Sequence, residues 1–260
     1  MPPEHVLVER DGDLGVITMN RPDRRNALSE AHLRELAAAV GELAGDPTVR
    51  ALVIAANGPV FSAGHDMREM LDHDVAAMRG LLGACTTLMR SLQTIPLPVV
   101  AAVQGVATAA GCQLVASADL AVAADTARFA TPGGNGGWFC ITPMVAIERV
   151  LTPKRALELL FTGDPIDAPT ALAWGLVNRV VPAEHVLDEA KALARRASRG
   201  SAQAKALGKR LYYETVGLDV DAAYARAVPA MASSAVEPDA REWMHAFLEK
   251  RPAVYKPRSS

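Results

Sequence analysis

Two turn sequences place small residues between an apolar, strand-like run and a helix-like segment. The first, Val60-Phe-Ser-Ala-Gly-His-Asp-Met67, follows the apolar run 51–55. The second, Gln104-Gly-Val-Ala-Thr-Ala-Ala-Gly-Cys-Gln-Leu114, follows a similar run at 98–103. Small residues leave the N–H groups at a helix start free to point at a ligand oxygen. Two such turns that converge would form a two-donor oxyanion hole for one carbonyl, whereas either turn alone is equally typical of an ordinary tight connection.

The overall composition limits the partners and the compartment. Half of the 260 residues are apolar, and 27 basic residues stand against 29 acidic ones. The net charge of -2 provides no basic field for nucleic acid or an anionic membrane. The three cysteines are widely spaced and predict reduced thiols and no metal site. The N-terminal residues show no targeting pattern, and no apolar segment reaches the ~18 residues of a membrane span, so we expect a cytoplasmic protein.

Strand-like and helix-like segments alternate in the first two thirds of the chain, which predicts an α/β fold. Residues 5–9 and 14–19 flank a turn signal and predict a hairpin, and Ser29 is a predicted N-cap of the next helix. From Pro182 onward the pattern is helical only. The predicted division is a core at residues 1–195 and a helical segment at 196–260 that docks on the core or on a neighbouring subunit.

Seven segments, in their order and spacing, resemble the crotonase (enoyl-CoA hydratase/isomerase) superfamily over nearly the whole chain. They are Asn20-Arg-Pro22, Asn26-Ala-Leu28, Phe61-Ser-Ala-Gly-His-Asp66, Val103–Leu114, Phe161-Thr-Gly163, Ala171-Leu-Ala-Trp-Gly-Leu-Val177 and Ala246-Phe-Leu-Glu-Lys-Arg251. The resemblance implies an α/β crotonase (ClpP-like) spiral of β-β-α units with a C-terminal helical trimerisation segment. It also implies an acyl-CoA thioester as the partner, and a homotrimer or a dimer of trimers.

The same resemblance implies roles for particular residues. The backbone N–H groups of Ala63 and Ala110 would form the oxyanion hole, although the family usually has Gly at the second position. Coenzyme A would enter as part of the substrate, with no separate cofactor. The residues implied to contact it are Ala63, Gly64, His65 and Asp66 at its adenine end, Arg24 near its phosphates, and Phe247 and Lys250 from an adjacent subunit.

Two positions depart from the pattern that a hydratase of this family requires. Such an enzyme holds a water between two glutamates, and here those positions carry Gln113 and Gly133. A carboxamide binds water but exchanges no proton near neutral pH, and glycine has no side chain. Each general acid–base group contributes about 10²–10⁴ in rate, so we expect only trace hydration.

Three other residues have two interpretations each. His65 resembles the histidine of the methylmalonyl-CoA decarboxylase branch, where it faces the acyl group, or it is a turn residue that touches only CoA. Asn135 either orients a substrate group or forms a turn. Cys140 stands where that branch has a tyrosine, and it is either a nucleophile or a small buried residue.

The sequence therefore leaves three functions open. The first is an enzyme that stabilises a thioester enolate without efficient hydration. The second is a decarboxylase of short malonyl-type acyl-CoA that uses His65. The third is an acyl-CoA-binding protein without turnover. The segment 130–143 resembles the subgroup called enoyl-CoA hydratase domain-containing protein 3, which also lacks the two glutamates.

Overall fold

The computed structural model describes residues 5–258, which contain ten β-strands and eleven α-helices. The strands are β1 (Val6–Asp11), β2 (Leu14–Met19), β3 (Ala51–Ala56), β4 (Val60–Ser62), β5 (Val99–Val103), β6 (Val106–Thr108), β7 (Leu120–Ala124), β8 (Arg128–Ala130), β9 (Ile166–Asp167) and β10 (Arg179–Val181). The helices are α1 (Glu30–Gly45), α2 (Met67–Met70), α3 (Val75–Thr94), α4 (Ala110–Ser117), α5 (Ile141–Ile147), α6 (Pro153–Thr162), α7 (Ala168–Trp174), α8 (Val186–Ala197), α9 (Ala202–Thr215), α10 (Val220–Ala235) and α11 (Pro238–Leu248).

The strands form two sheets, and from β3 to β8 successive strands alternate between them. Six strands lie in the order β1-β2-β3-β5-β7-β10, and four lie in the order β4-β6-β8-β9. In the larger sheet the hairpin β1–β2 is antiparallel and the remaining pairs are parallel. Strands β3 and β5 and their neighbour β7 are apolar and almost wholly buried, as expected for parallel strands covered on both faces.

The chain repeats one unit three times: a strand in the larger sheet, a strand in the smaller sheet, and then helix. The units are β3-β4-α2-α3, β5-β6-α4 and β7-β8-α5. This confirms the spiral of β-β-α units. The residue pattern alone did not indicate β4, β6 and β8, because strands of three residues are too short to show an alternation of apolar and polar side chains.

Helix α1 begins where its sequence predicts. The Ser29 hydroxyl accepts a hydrogen bond from the His32 amide at 3.3 Å, which satisfies one of the free N–H groups of the first turn. The side chains of Leu33, Leu36 and Val40 are buried along one face of this helix. They pack in the apolar core against the sheet, as their helical spacing predicts.

The fully buried His32 makes folding dependent on pH. Burial lowers its pKa to about 4 from an ordinary 6.5, and its Nδ1 lies 3.2 Å from the carbonyl oxygen of Ala27. The unfolded chain therefore binds a proton more readily than the folded one. The stability that this histidine contributes is present above pH 6.5 and is lost as the pH falls towards 4.

We expect the free energy of unfolding to fall by about 2 kcal/mol more between pH 7 and pH 5 in the native protein than in His32→Asn. Asparagine retains a donor towards Ala27 but does not titrate. Urea unfolding at the two pH values measures this difference. Equal losses in the two proteins would show that His32 is not the group responsible.

The C-terminal helices differ in how they meet the core. Helix α8 packs on β3, β5 and β7, and α9 packs on α3. Helix α8 ends at Ala197, so the division predicted after residue 195 falls inside this helix, two residues before its end. Helix α10 has no buried residue, and Tyr224, Val228 and Met231 are exposed along one of its faces. An apolar face of this kind is typical of a subunit contact, and the trimer remains a prediction. No helix in the described part of the chain is long and apolar enough to cross a membrane.

Candidate active site

The two small-residue turns lie in contact, as the sequence analysis expected. Strands β4 and β6 pair in parallel, so the turns that follow them leave the smaller sheet at the same edge. A Cβ atom added to Gly64 would lie 3.2 Å from the Ala110 nitrogen, and one added to Gly111 would lie 2.3 Å from the Ser62 carbonyl oxygen. The two turn segments approach this closely only because positions 64 and 111 are both glycine.

The prediction that Ala63 donates to the substrate carbonyl is wrong. Its amide N–H is occupied, since it donates to the Arg25 carbonyl oxygen at 3.0 Å. The amide of His65, two residues later, has no acceptor among residues 5–258, and the same holds for Ala110. The donor pair that the fold leaves available is therefore His65 and Ala110.

The backbone around Gly64 explains why the donor moves by two residues. Gly64 has φ +86°, in the left-handed region, and its carbonyl accepts from the Leu28 amide at 2.8 Å. These two features turn the next peptide unit, so that the N–H of His65 faces away from its own strand partner. A glycine between a strand and a helix start was the signal in the sequence for this flip.

The second donor is held by a strained residue. Ala109, the N-cap of α4, has φ +50° and ψ −118°, a conformation that costs a non-glycine residue about 1–3 kcal/mol. Its amide donates to the Ala130 carbonyl oxygen at 2.9 Å, which holds the turn in place. Because α4 starts directly after this turn, the N–H of Ala110 stands at the positive end of the helix.

The His65 side chain is half-buried. Its Nδ1 lies 3.4 Å from the Leu28 carbonyl oxygen, and its buried Nε2 has no partner among residues 5–258. Burial lowers the pKa of this imidazole below 6.5, so it is neutral at pH 7. A neutral ring with its proton on Nδ1, facing Leu28, presents Nε2 as an acceptor.

Gln113 lies one helical turn after Ala110 on α4 and is 5% exposed. Its Oε1 is buried and has no hydrogen-bond partner in the described chain. The residue lines a cavity of about 770 Å³ bounded by α3, α4, α5 and α9. A carboxamide with a free oxygen at the wall of a cavity can position a water or a substrate group.

Gly133 is covered by the loop that follows it. A Cβ atom at this position would lie 2.2 Å from the Trp138 carbonyl oxygen and 2.8 Å from the Cys140 sulfur. The Gly133 carbonyl oxygen accepts from the Trp138 amide at 2.9 Å, which closes the loop over it. No side chain fits at this position with the backbone as it stands.

The contacts of Asn135 favour its interpretation as a turn residue over that of a substrate-orienting one. Its side chain is exposed, and its Nδ2 donates to the Thr162 carbonyl oxygen at 2.6 Å. This bond ties the loop to the end of α6, beside Gly163 with φ +63°. This contact accounts for Asn135 as a structural residue, and a role towards a substrate stays a prediction.

Cys140 is buried, and burial raises the pKa of its thiol. A protonated thiol is a poor nucleophile, so the structure favours the structural interpretation of this cysteine.

A second, open cavity of about 410 Å³ lies beside the first turn. It is lined by Asp23, Arg24, Arg25, Ala27, Asp66, Met67 and Arg68. The Asp66 carboxylate also pairs with Arg21 at 3.4 Å and accepts from the Arg68 amide at 3.2 Å. The sequence indicated Arg24 here, whereas Arg25 and Arg68 are brought to it by the fold.

Phe247 lies near the end of α11, and Lys250 lies two residues beyond that end. The Phe247 ring is exposed and stacks on Trp243 at 5.9 Å between ring centroids. Lys250 is exposed and has φ +55°. Neither residue lines a cavity described above, so their contact with CoA of a neighbouring subunit stays a prediction.

Comparison with known proteins identifies the relatives of this chain. The profile of the enoyl-CoA hydratase/isomerase family matches residues 9–258. Enoyl-CoA hydratase domain-containing protein 3, mitochondrial, from Danio rerio is 43% identical over 250 residues, which are 96% of this chain and 86% of that protein. A crystal structure of enoyl-CoA hydratase from Mycobacterium smegmatis superposes with a TM-score of 0.93 at 45% identity and covers 97% of this chain and 99% of its own. That of human enoyl-CoA hydratase domain-containing protein 3 gives 0.92 at 39% identity, with 96% and 100% covered.

The expectation of a cytoplasmic protein is wrong by this comparison, because the Danio rerio and Homo sapiens relatives are named as mitochondrial proteins. The lack of a targeting pattern was not sufficient to assign a compartment. The resemblance read from the seven sequence segments is confirmed, since the family profile and the superposed structures extend over nearly the whole chain. The chain belongs to the enoyl-CoA hydratase/isomerase (crotonase) family and is similar to enoyl-CoA hydratase domain-containing protein 3.

Proposed function

We propose that this protein binds an acyl-CoA thioester and stabilises negative charge on its carbonyl oxygen with the backbone amides of His65 and Ala110. One observation carries the proposal: two amides without acceptors among residues 5–258 stand on turns that touch each other. Donors fixed in this way need no reorganisation when an enolate forms, which is why such sites accelerate acyl chemistry. Membership of a family whose members are named enoyl-CoA hydratases supports the same substrate class.

We propose that the open cavity at the first turn takes the CoA phosphates. Three arginines, Arg24, Arg25 and Arg68, line it, and guanidinium groups bind phosphate oxygens in pairs. Asp23 and Asp66 also line the cavity, but Asp66 is engaged by Arg21 and by the start of α2. Phe247 and Lys250 would complete this site from an adjacent subunit of a trimer.

We propose that the bound thioester is not hydrated efficiently. Gln113 cannot act as a general base near neutral pH, and the covered Gly133 offers no second group. The unpaired Gln113 oxygen would hold a water or a polar acyl substituent without exchanging a proton. The chemistry left to the site is enolate stabilisation, or binding of the thioester without turnover.

The oxyanion hole can be tested without knowing the reaction. Hydrogen bonds to the carbonyl of dimethylaminocinnamoyl-CoA shift its absorption to longer wavelength. We expect this shift in the native protein and its loss in Ala110→Pro, because proline has no N–H. Proline is tolerated at the first position of a helix, which Ala110 occupies, so the helix should form.

The matched control is Ala110→Gly, which retains the N–H and should retain the shift. Thermal unfolding of both variants establishes that they fold. A folded Ala110→Pro protein that binds the probe and shifts its absorption as the native protein does would refute the proposed donor.

Decarboxylation of a malonyl-type acyl-CoA is the second candidate function. The buried, unpaired Nε2 of His65 favours it, since a protonated imidazole there would anchor a carboxylate. Because burial lowers the pKa of His65 below 6.5, the anchoring form increases only as the pH falls below that value. CO2 release from methylmalonyl-CoA should therefore rise as the pH falls from 7 to 5, and His65→Gln should abolish the rise. A rate that is independent of pH and unchanged in the variant would eliminate this function.

A further inference from the structure

The cavity lined by Gln113 lies one helical turn beyond Ala110 along α4. Its walls come from the four helices α3, α4, α5 and α9. Its volume of about 770 Å³ is that of a small-molecule site. Gln113, Ala116 and Ser117 are the α4 residues in its lining, and because α4 rises about 1.5 Å per residue they extend about 6 Å along the helix.

Basic side chains dominate the charge of this cavity. Arg90, Arg149 and Lys205 line it, and none of them pairs with a carboxylate of residues 5–258. The acidic residue in the lining is Asp119, which is occupied by the Lys209 ammonium at 2.6 Å. The cavity therefore combines apolar and neutral polar side chains with three positive charges that have no carboxylate partner among residues 5–258.

Gly208 keeps one wall of the cavity open. It lies in the middle of α9, where glycine costs about 1 kcal/mol relative to alanine. A Cβ atom at this position would meet no atom within 4 Å, so packing does not require the glycine. Its effect is to leave space beside Lys205 and Lys209.

We propose that this cavity receives an acyl chain that ends in a carboxylate, so that the preferred ligands are the CoA thioesters of dicarboxylic acids. The inference rests on the proposed function, because the chain would enter past Gln113 from a thioester held by His65 and Ala110. The helix faces bury the methylene groups, and Arg90, Arg149 and Lys205 bind the distal carboxylate. An extended chain of roughly eight carbons spans the ~10 Å from Ala110 to Ser117.

Titration calorimetry on the full-length protein tests this preference. Three pairs of equal length are compared: hexanoyl- with adipoyl-CoA, octanoyl- with suberoyl-CoA, and decanoyl- with sebacoyl-CoA. We expect the dicarboxylic member to bind about tenfold more tightly in at least one pair, the size of a charge-assisted hydrogen bond. In the triple variant R90Q/R149Q/K205Q the preference should disappear, while octanoyl-CoA binds within about twofold of the native affinity.

Two further variants separate charge from space. Gly208→Leu fills the cavity and should weaken binding of the longer chains, whereas Gly41→Leu, at an exposed helix position with equal free space, should not. Arg34→Gln, which removes an exposed cation of α1, is the matched charge control. If all monocarboxylic thioesters bind as tightly as their dicarboxylic partners, the inference is overturned and the proposed function stands. If no thioester of either series binds, both are overturned.

Discussion

Replacing Asp119 with alanine is expected to lower the free energy of unfolding by about 3–5 kcal/mol, because it leaves a buried ammonium without its counter-charge. The Asp119 carboxylate accepts hydrogen bonds from Lys209 at 2.6 Å, from Tyr213 at 2.8 Å and from the Val99 amide at 2.8 Å. Lys209 also donates to the carbonyl oxygens of Leu92 and Leu97. These bonds attach α9 to the ends of α3, β5 and β7, so the loss should loosen the C-terminal helices.

Urea unfolding followed by circular dichroism measures this effect. The double variant D119L/K209M removes both charges and should recover much of the stability, since an apolar pair avoids the desolvation of two ions. Asp164→Ala, an exposed acidic residue, should change the stability by less than about 0.5 kcal/mol. If Asp119→Ala behaves like Asp164→Ala, the buried network contributes little to the fold.

Introducing both hydratase glutamates is expected not to create a hydratase. The variant Q113E/G133E restores two carboxylates in the sequence. However, the Cβ atom at position 133 would lie 2.2 Å from the Trp138 carbonyl oxygen, so the loop 132–140 must move. We expect a loss of about 3 kcal/mol in stability, at the upper end of overpacking, and hydration of crotonyl-CoA close to that of the native protein.

A pair of alanine variants isolates the steric cause. Gly133→Ala should already lower the melting temperature, whereas Gly136→Ala, whose Cβ would meet its nearest atom at 3.7 Å, should leave it nearly unchanged. Q113E alone controls for the effect of a buried carboxylate. Efficient crotonyl-CoA hydration by a stable Q113E/G133E protein would show that the loop adapts easily and that only the two side chains separate this protein from a hydratase.

Local sequence signals predicted much of the fold correctly. The hairpin β1–β2, the N-cap Ser29 and the buried strands β3 and β5 lie where turn signals, capping residues and apolar runs indicated. These features depend on residues that are neighbours in the chain. The strands of the smaller sheet lacked a pattern of their own because each has only two or three residues. Their hydrogen bonds come from partners about 20 or more residues away.

The sequence predicted that the two turns of the candidate site lie together, but it did not predict which amides are free. The two small-residue turns and Ala110 lie together as expected, but the choice of Ala63 as the first donor was wrong because Arg25 occupies its amide. One of the two interpretations of Asn135 was that it orients a substrate group. Its side chain donates a hydrogen bond to the Thr162 carbonyl oxygen, which favours the other interpretation, a structural role in the loop. In each case the hydrogen-bond partner comes from a segment distant in the chain.

The sequence by itself determined the family, the absence of two carboxylates at positions 113 and 133, and the glycines that allow two turns to approach each other. Only the tertiary structure decided which backbone amides remain free, that Gly133 is sealed by its own loop, and that three unpaired cations meet in one cavity. The physical reason is that the residue type limits what a position can do. Whether a donor is hydrogen-bonded, a space is filled or a charge is paired depends on partners that the fold brings from elsewhere in the chain.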